Sequence, residues 1–215
     1  MSPALRTEAQ ELLGRRDVVS LPEPSLDTAA LPTRTDRPQF HILCVGRLTA
    51  QKNFALALQT LALLNEPYHM TILGEGEQRG ALLALADRLG IADRVRFAGF
   101  VDDVAAYLKT ASILLSTSQF EGFPAVLVEA AAAGVPIVST PCSIALPDIL
   151  LDPTFGLVAP AEDVLLARAI HVVGARQRAP NSALLAKFVD QHQLGRSAGL
   201  WLDWMDGVVV KRTQV

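Results

Sequence analysis

Two cations and two carboxylates carry most of the chemical information in this chain. The segment Gly46-Arg47-Leu48-Thr49-Ala50-Gln51-Lys52-Asn53 sets Arg47 and Lys52 at the ends of a short stretch that glycine allows to turn tightly. Two cations held that close can meet one anion, and an arginine can grip a phosphate with two parallel hydrogen bonds. Taken alone, the segment reads equally well as a solvated loop with ordinary surface charges. A second segment, Gln119 to Ala130, carries Glu121 and Glu129. Glu129 has Val126, Leu127, Val128 and Ala130 to Ala133 as neighbours, which implies a helix buried nearly all round. A buried carboxylate needs a partner. Sugar hydroxyls, which can donate two hydrogen bonds to one carboxylate, are candidates; a structural ion pair with a buried Arg or Lys is the alternative. Pro124 suits the first turn of this helix, predicted from about Pro124 to Ala133. Its unpaired first-turn amides, from Ala125, Val126 and neighbours, and its dipole favour an anion there. Glu121 falls just before it, where a carboxylate repels phosphate unless it points elsewhere, for instance at a sugar hydroxyl.

The elements that must position these residues are legible as apolar runs. His41–Val45, His69–Leu73, Arg94–Phe97, Ile113–Ser116, Pro136–Ser139 and Phe155–Val158 read as strands. Between them run helical periodicities: Phe54 to Leu64, Leu82 to Leu89 with a stop at Gly90, and a third helix through Leu108 capped by Asp102 or Asp103. Later helices are expected at Glu162–Val173, Ser182–Asp190 and Gly195–Met205. Strands apolar on both faces, alternating with helices, predict an α/β fold: a Rossmann-like parallel sheet covered by helices on both sides, followed by C-terminal helices. Such sheets bind ligands at the carboxyl ends of their strands, where both charged segments fall. The expected division is a linker-like segment over 1–39, a sheet domain over 40–175 and C-terminal helices over 176–215. Pro22, Pro24, Pro32 and Pro38 make the first of these an extended connector or a disordered arm.

The second strand ends in Gly74-Glu75-Gly76-Glu77-Gln78-Arg79-Gly80. A dinucleotide fingerprint is rejected: the third glycine comes one residue late, the run follows the second strand, and no ribose-binding acid ends the next one. A tight turn where backbone approaches a flat ligand is the remaining reading. His41, His69, His171 and His192 do not cluster in the sequence and are expected to be structural or exposed. Trp201 and Trp204, at i, i+3 on the last helix, either pack on their own domain or mark an apolar surface for a partner.

Composition narrows the classes. Of 215 residues, 50% are hydrophobic and 19% charged, which suits a globular core. A formal net charge of -3 gives no reason to expect nucleic acid. The two cysteines, Cys44 and Cys142, form no disulfide framework or metal pair, so a cytoplasmic setting is expected. No apolar run is long enough for a transmembrane segment.

The chain resembles the family 4 retaining glycosyltransferases of the GT-B fold, the group 1 class, over about Val18 to Val173. The resemblance rests on E-x7-E at Glu121 and Glu129, on G-R-L-x-x-x-K at Gly46, Arg47, Leu48 and Lys52, and on V-x-F-x-G at Val95, Phe97 and Gly99. It implies the C-terminal, nucleotide-sugar-binding half of that fold, with a UDP-sugar as the commonest donor. Arg47 and Lys52 would bind the diphosphate and stabilise the leaving nucleotide, with Glu121 at the donor sugar and Glu129 at the ribose. Backbone around Phe123, Ala125 and Val126 would touch sugar and phosphate, and the base would lie near Gly74, Gly99, Phe100 and Val101. The resemblance implies no metal and no cofactor beyond the donor itself. An acceptor domain would be supplied by a partner in trans, and the enzyme would be cytoplasmic or peripheral to a membrane. The alternative is a nucleotide-binding module or fragment with no transferase activity of its own. The family's glycine-rich turn and Glu after the fifth strand are replaced by Ser143-Ile144-Ala145-Leu146-Pro147-Asp148, with Asp148 in the acid's place.

Overall fold

The structure, a computed structural model, describes residues 3–14, 26, 40–65, 67–150, 152–175 and 182–213. Most of the linker-like segment, and the Arg176–Pro180 spacer, lie outside the described residues. Six strands follow in order: β1 (His41–Val45), β2 (His69–Leu73), β3 (Val95–Gly99), β4 (Ile113–Ser116), β5 (Ile137–Ser139) and β6 (Gly156–Val158). They form one parallel sheet in the order β3-β2-β1-β4-β5-β6. The helices are α1 (Pro3–Leu13), α2 (Phe54–Leu63), α3 (Arg79–Arg88), α4 (Val104–Leu108), α5 (Ala125–Ala132), α6 (Leu146–Ile149), α7 (Asp163–Gly174), α8 (Ser182–His192) and α9 (Leu194–Thr213).

The period of two along β1 divides the core. Ile42 and Cys44 enter the layer built with α2, α3 and α7. Leu43 enters the opposite layer, with α5, α6 and Phe188 of α8. Both faces are therefore covered, as strands without polar alternation require. Burial pushes the Cys44 thiol far above its ordinary range, as suits an inert core residue. Leu26, inside the proline-rich stretch, is buried; its amide donates to His192 O at 3.1 Å, and its carbonyl accepts from Leu194 N at 3.0 Å. At least this point of the expected connector is packed against the α8–α9 corner.

Several expectations need correction. Strand β3 begins at Val95 rather than Arg94, because Ala92–Arg94 form a 3-10 turn. The turn aims the Arg94 guanidinium at the carbonyls of Leu61 (2.8 Å), Leu64 (2.9 Å) and Tyr68 (3.0 Å), closing the end of α2. Helix α5 begins at Ala125, with Pro124 as its N-cap at ψ 78° rather than in its first turn. Helix α6 was not foreseen, and α9 runs eight residues past Met205. His41 and His69 do meet: their rings stack at 4.7 Å where β1 and β2 begin, at the opposite end of the sheet from the charged loops. His41 is held there by Thr71 Oγ1 (2.9 Å) and Thr110 O (3.1 Å), and burial lowers its pKa, so its role is structural. Trp201 and Trp204 pack edge-on at 6.4 Å, and the pair keeps 36% and 42% exposure.

Candidate functional site

The strand order reverses direction between β1 and β4, which lie side by side. The helices that follow these two strands, α2 and α5, pack on opposite faces of the sheet, so the switch-point crevice at its carboxyl edge, where such sheets hold ligands, falls at these two loops. The β1–α2 loop carries Arg47 and Lys52; the β4–α5 loop carries Glu121, Phe123 and the start of α5. Sequence spacing thus brought both charged segments to one edge, and chain crossover brought them to one crevice.

The two loops are stitched together. Gln51 Nε2 donates to Phe120 O at 2.8 Å, and Gln119 N donates to Gln51 O at 2.8 Å. The Thr117 hydroxyl donates to Lys52 O at 3.0 Å. The Lys52 ammonium sits 2.5 Å from Glu121 Oε1, with the two side chains 20% and 11% exposed. The far side of the carboxylate loop is anchored too: Glu121 N donates to Cys142 O at 2.6 Å, and Ser143 Oγ donates to Gly122 O at 3.2 Å. Gln51, Thr117 and Ser143 were not singled out from the sequence. Gln51 occupies an unspecified position of the G-R-L-x-x-x-K run, and the only hint of Thr117 and Ser118 is a polar pair directly after an apolar strand.

Glycines set how closely the loops approach. A Cβ on Gly46 would lie 2.9 Å from Lys52 Cε and 3.0 Å from Cδ, so the lysine stem crosses directly over this residue. A Cβ on Gly74, at φ 128°, would lie 2.0 Å from Gly46 O. The tight turn expected at Gly74 therefore serves an approach of backbone to backbone. Gly46 N donates to Leu73 O at 2.9 Å and Gly74 N to Gly99 O at 2.7 Å, which lines up the three glycines at the ends of β1, β2 and β3. Beyond them Phe100 projects with 73% exposure and Val101 is partly buried.

Helix α5 presents its N-terminus to the crevice. The Ala125 amide donates to Phe123 O at 3.0 Å and Leu127 N to Pro124 O at 2.9 Å. This corrects the expectation that the Ala125 amide is free; among the described residues none accepts from Val126 N. The carboxylate of Glu129, one turn further in, makes no hydrogen bond or ion pair with any described residue, so the structural ion pair is absent among them. Burial raises its pKa above the ordinary carboxylate value. Arg47 is exposed, without an ion pair to any described residue. Asp148 lies on α6 with Oδ2 buried and unpaired. His192 lies against the same region, its ring 4.4 Å from Phe188 and 6.4 Å from Phe123. Burial lowers its pKa. Among the described residues no group of His, Cys, Asp or Glu could hold a metal ion, and no helix is long and apolar enough to cross a membrane.

A doubly wound parallel sheet, with cations on one switch-point loop and a carboxylate and a helix N-terminus on the other, is an arrangement in which α/β domains can hold phosphorylated ligands. Comparison with known proteins narrows the class. Residues 39–174 match the family described as glycosyl transferases group 1, and the chain belongs to that family. It is 36% identical over 116 residues to the lipopolysaccharide core biosynthesis glycosyltransferase LpsE of Rhizobium meliloti, a match covering 54% of this chain and 33% of that protein. It is 31% identical over 147 residues to an N-acetylgalactosaminyltransferase of Campylobacter jejuni acting on a diphospho-undecaprenol glycan, covering 68% and 39% respectively. Among solved structures, HepE of Anabaena in complex with UDP superposes with a TM-score of 0.71 at 20% identity, covering 96% of this chain and 54% of that one. The fold is the Rossmann-like one of GT-B glycosyltransferases. The chain spans well under half the length of these curated relatives.

Proposed function

We propose that this chain binds the nucleoside diphosphate of an activated sugar and forms the donor side of a retaining, metal-independent glycosyltransferase. The acceptor in this reading is held by the N-terminal half of the GT-B fold. The observation that carries it is the contact of Lys52 with Glu121 across two stitched loops at the switch point, with Arg47 on the first loop and the start of α5, which carries Glu129, following the second. The parts divide by chemistry. Arg47, Lys52 and the α5 N-terminus meet the charge that grows on the departing diphosphate, as fixed positive groups do for a developing anion. Glu129, desolvated and without an internal partner, suits two ribose hydroxyls, which would return its lost hydrogen bonds. Glu121 suits the donor sugar. Gly74, Gly99, Phe100 and Val101 form the neighbouring surface for the base, and the UDP held by the Anabaena neighbour favours uridine.

The alternative, a binding module without turnover of its own, shares this donor site and differs only in whether an acceptor domain restores transfer. Titration calorimetry of UDP, GDP and ADP into the chain and into Lys52→Ala tests the shared part. Binding in the range of about 10–1000 micromolar, roughly 4 to 7 kcal/mol, is expected for one of them. Lys52→Ala should remove about 1.5–3 kcal/mol of it, the worth of a charged hydrogen bond to phosphate. A folded chain that binds none of the three refutes the reading.

A further inference from the structure

The Lys52–Glu121 pair is at odds with a simple division of labour in which lysine waits for phosphate and glutamate for sugar. The two hold each other at 2.5 Å, across 69 positions of sequence. The backbone and stem of the lysine are held in place, which leaves the ammonium as its movable end. Its stem lies against the Cα of Gly46, its carbonyl is taken by Thr117, and the neighbouring Gln51 is bonded in both directions to the partner loop. The Glu121 backbone is fixed from the other side by the hydrogen bond that its amide donates to Cys142 O. With both backbones anchored, the ammonium rests on a carboxylate within its reach, and a phosphate entering the crevice must compete for it.

We propose that Glu121 is the residue by which this site tells the sugar-bearing donor from the spent nucleoside diphosphate. It does so by keeping hold of Lys52 until a sugar takes its place. The inference rests on the donor-site reading above and adds to it a direction. A nucleoside diphosphate ends in a phosphate with a second ionisation near pH 6, which the sugar ester lacks. The free nucleotide therefore brings more negative charge to a carboxylate that is largely buried, where repulsion is poorly screened. It also offers that carboxylate no donor in exchange for the lysine. The sugar conjugate brings less charge and adds hydroxyls that can donate to Glu121 once Lys52 has moved to the diphosphate. The pair then works against retention of product and against capture of stray phosphates by the empty site.

The test is calorimetry on the full chain and on Glu121→Gln. It uses whichever of UDP, GDP or ADP the wild type binds, together with the glucose conjugate of that nucleotide. The amide keeps the shape, releases the lysine and removes the repulsion. The free nucleotide is expected to bind the variant about tenfold more tightly, and its conjugate no more tightly than before, so that the ratio of the two affinities falls by about tenfold. Glu121→Asp, which draws the carboxylate back by one methylene, should move the ratio the same way by less. In a Lys52→Met background, Glu121→Gln should lose most of its gain. A ratio within twofold of wild type, or a nucleotide weakened by Glu121→Gln, removes the proposal and leaves the donor site standing. If neither variant folds, the pair is a structural brace and the proposal is wrong. If the folded wild type binds no nucleotide, the donor reading fails and this inference fails with it.

Discussion

The glycine run after β2 offers a sharp test of how the crevice is built, because its first and last members should respond in opposite senses to the same methyl group. Gly74 has φ 128°, and a Cβ there would stand 2.0 Å from Gly46 O. Both partners are backbone, and both are held in the ladder by hydrogen bonds, from Gly46 N to Leu73 O and from Gly74 N to Gly99 O. No side chain can swing aside. A non-glycine residue in that region of φ costs about 1–3 kcal/mol, and forced overpacking costs about 1–3 kcal/mol more. Gly74→Ala should therefore destabilise by roughly 2–6 kcal/mol, which lowers Tm by about 4–24 °C for a chain of this size. Gly80 lies in α3 with nothing within 4 Å of its missing Cβ. Gly80→Ala should stabilise by about 0.5–1 kcal/mol through helix propensity alone. Urea unfolding followed by circular dichroism reads both. Should Gly74→Ala unfold at the wild-type midpoint, the close approach of the two loops is wrong. A Gly80→Ala variant as damaged as Gly74→Ala would instead point to a role for the whole run that the packing does not contain.

Arg94→Met should cost about 2–4 kcal/mol in the same unfolding assay, since two carbonyls at the end of α2 and that of Tyr68 before β2 lose a charged donor. Glu129→Gln should stabilise the empty protein at pH 7 to 8, while nucleotide affinity falls about tenfold or more with the loss of a charged hydrogen bond. The sign follows from the raised pKa of Glu129. A group that holds its proton more tightly when folded contributes stability below its unfolded pKa, and that contribution is lost as pH rises through the folded pKa. The Tm difference between wild type and Glu129→Gln should therefore shrink as pH falls below the ordinary carboxylate range. A constant difference across pH 4 to 8 would remove the burial of the charge as its cause.

The strands were legible because burial on both faces leaves no polar alternation, and β1, β2 and β4 fall where their apolar runs do. Arg94 was misplaced for a reason that apolar runs cannot contain. It adjoins Val95 in sequence, but its guanidinium is claimed by α2, and that tertiary demand bends the backbone into a turn. Helix α6, at four residues, is too short to show a period. The candidate site was legible as types and edges: cations after β1, carboxylates after β4, all at the carboxyl ends. What sequence could not show is who holds whom. Lys52 and Glu121 were each matched to a ligand because each segment was read by itself. Their contact depends on the β1–β4 crossover and on the glycine that lets the lysine stem lie flat.

The pattern of satisfied and unsatisfied groups argues for a site rather than a structural cluster. Away from the crevice, buried polar groups are answered from within the chain: His41 by Thr71 and Thr110, Thr60 by Leu56 O, Arg94 by three carbonyls. Within the crevice and beside it, Arg47 has no ion-pair partner among the described residues, Glu129 is desolvated without one, and Asp148 Oδ2 is buried and unpaired. Arg47 is exposed and hydrated, but a fold selected only for stability would have paired or removed the two carboxylates, since a desolvated polar group costs free energy when left unmet. Departures from local consistency that gather at one end of one sheet are what a ligand-binding edge produces. A ligand that answers them must carry an anion for Arg47 and hydroxyl donors for the carboxylates, and a nucleotide-activated sugar has both.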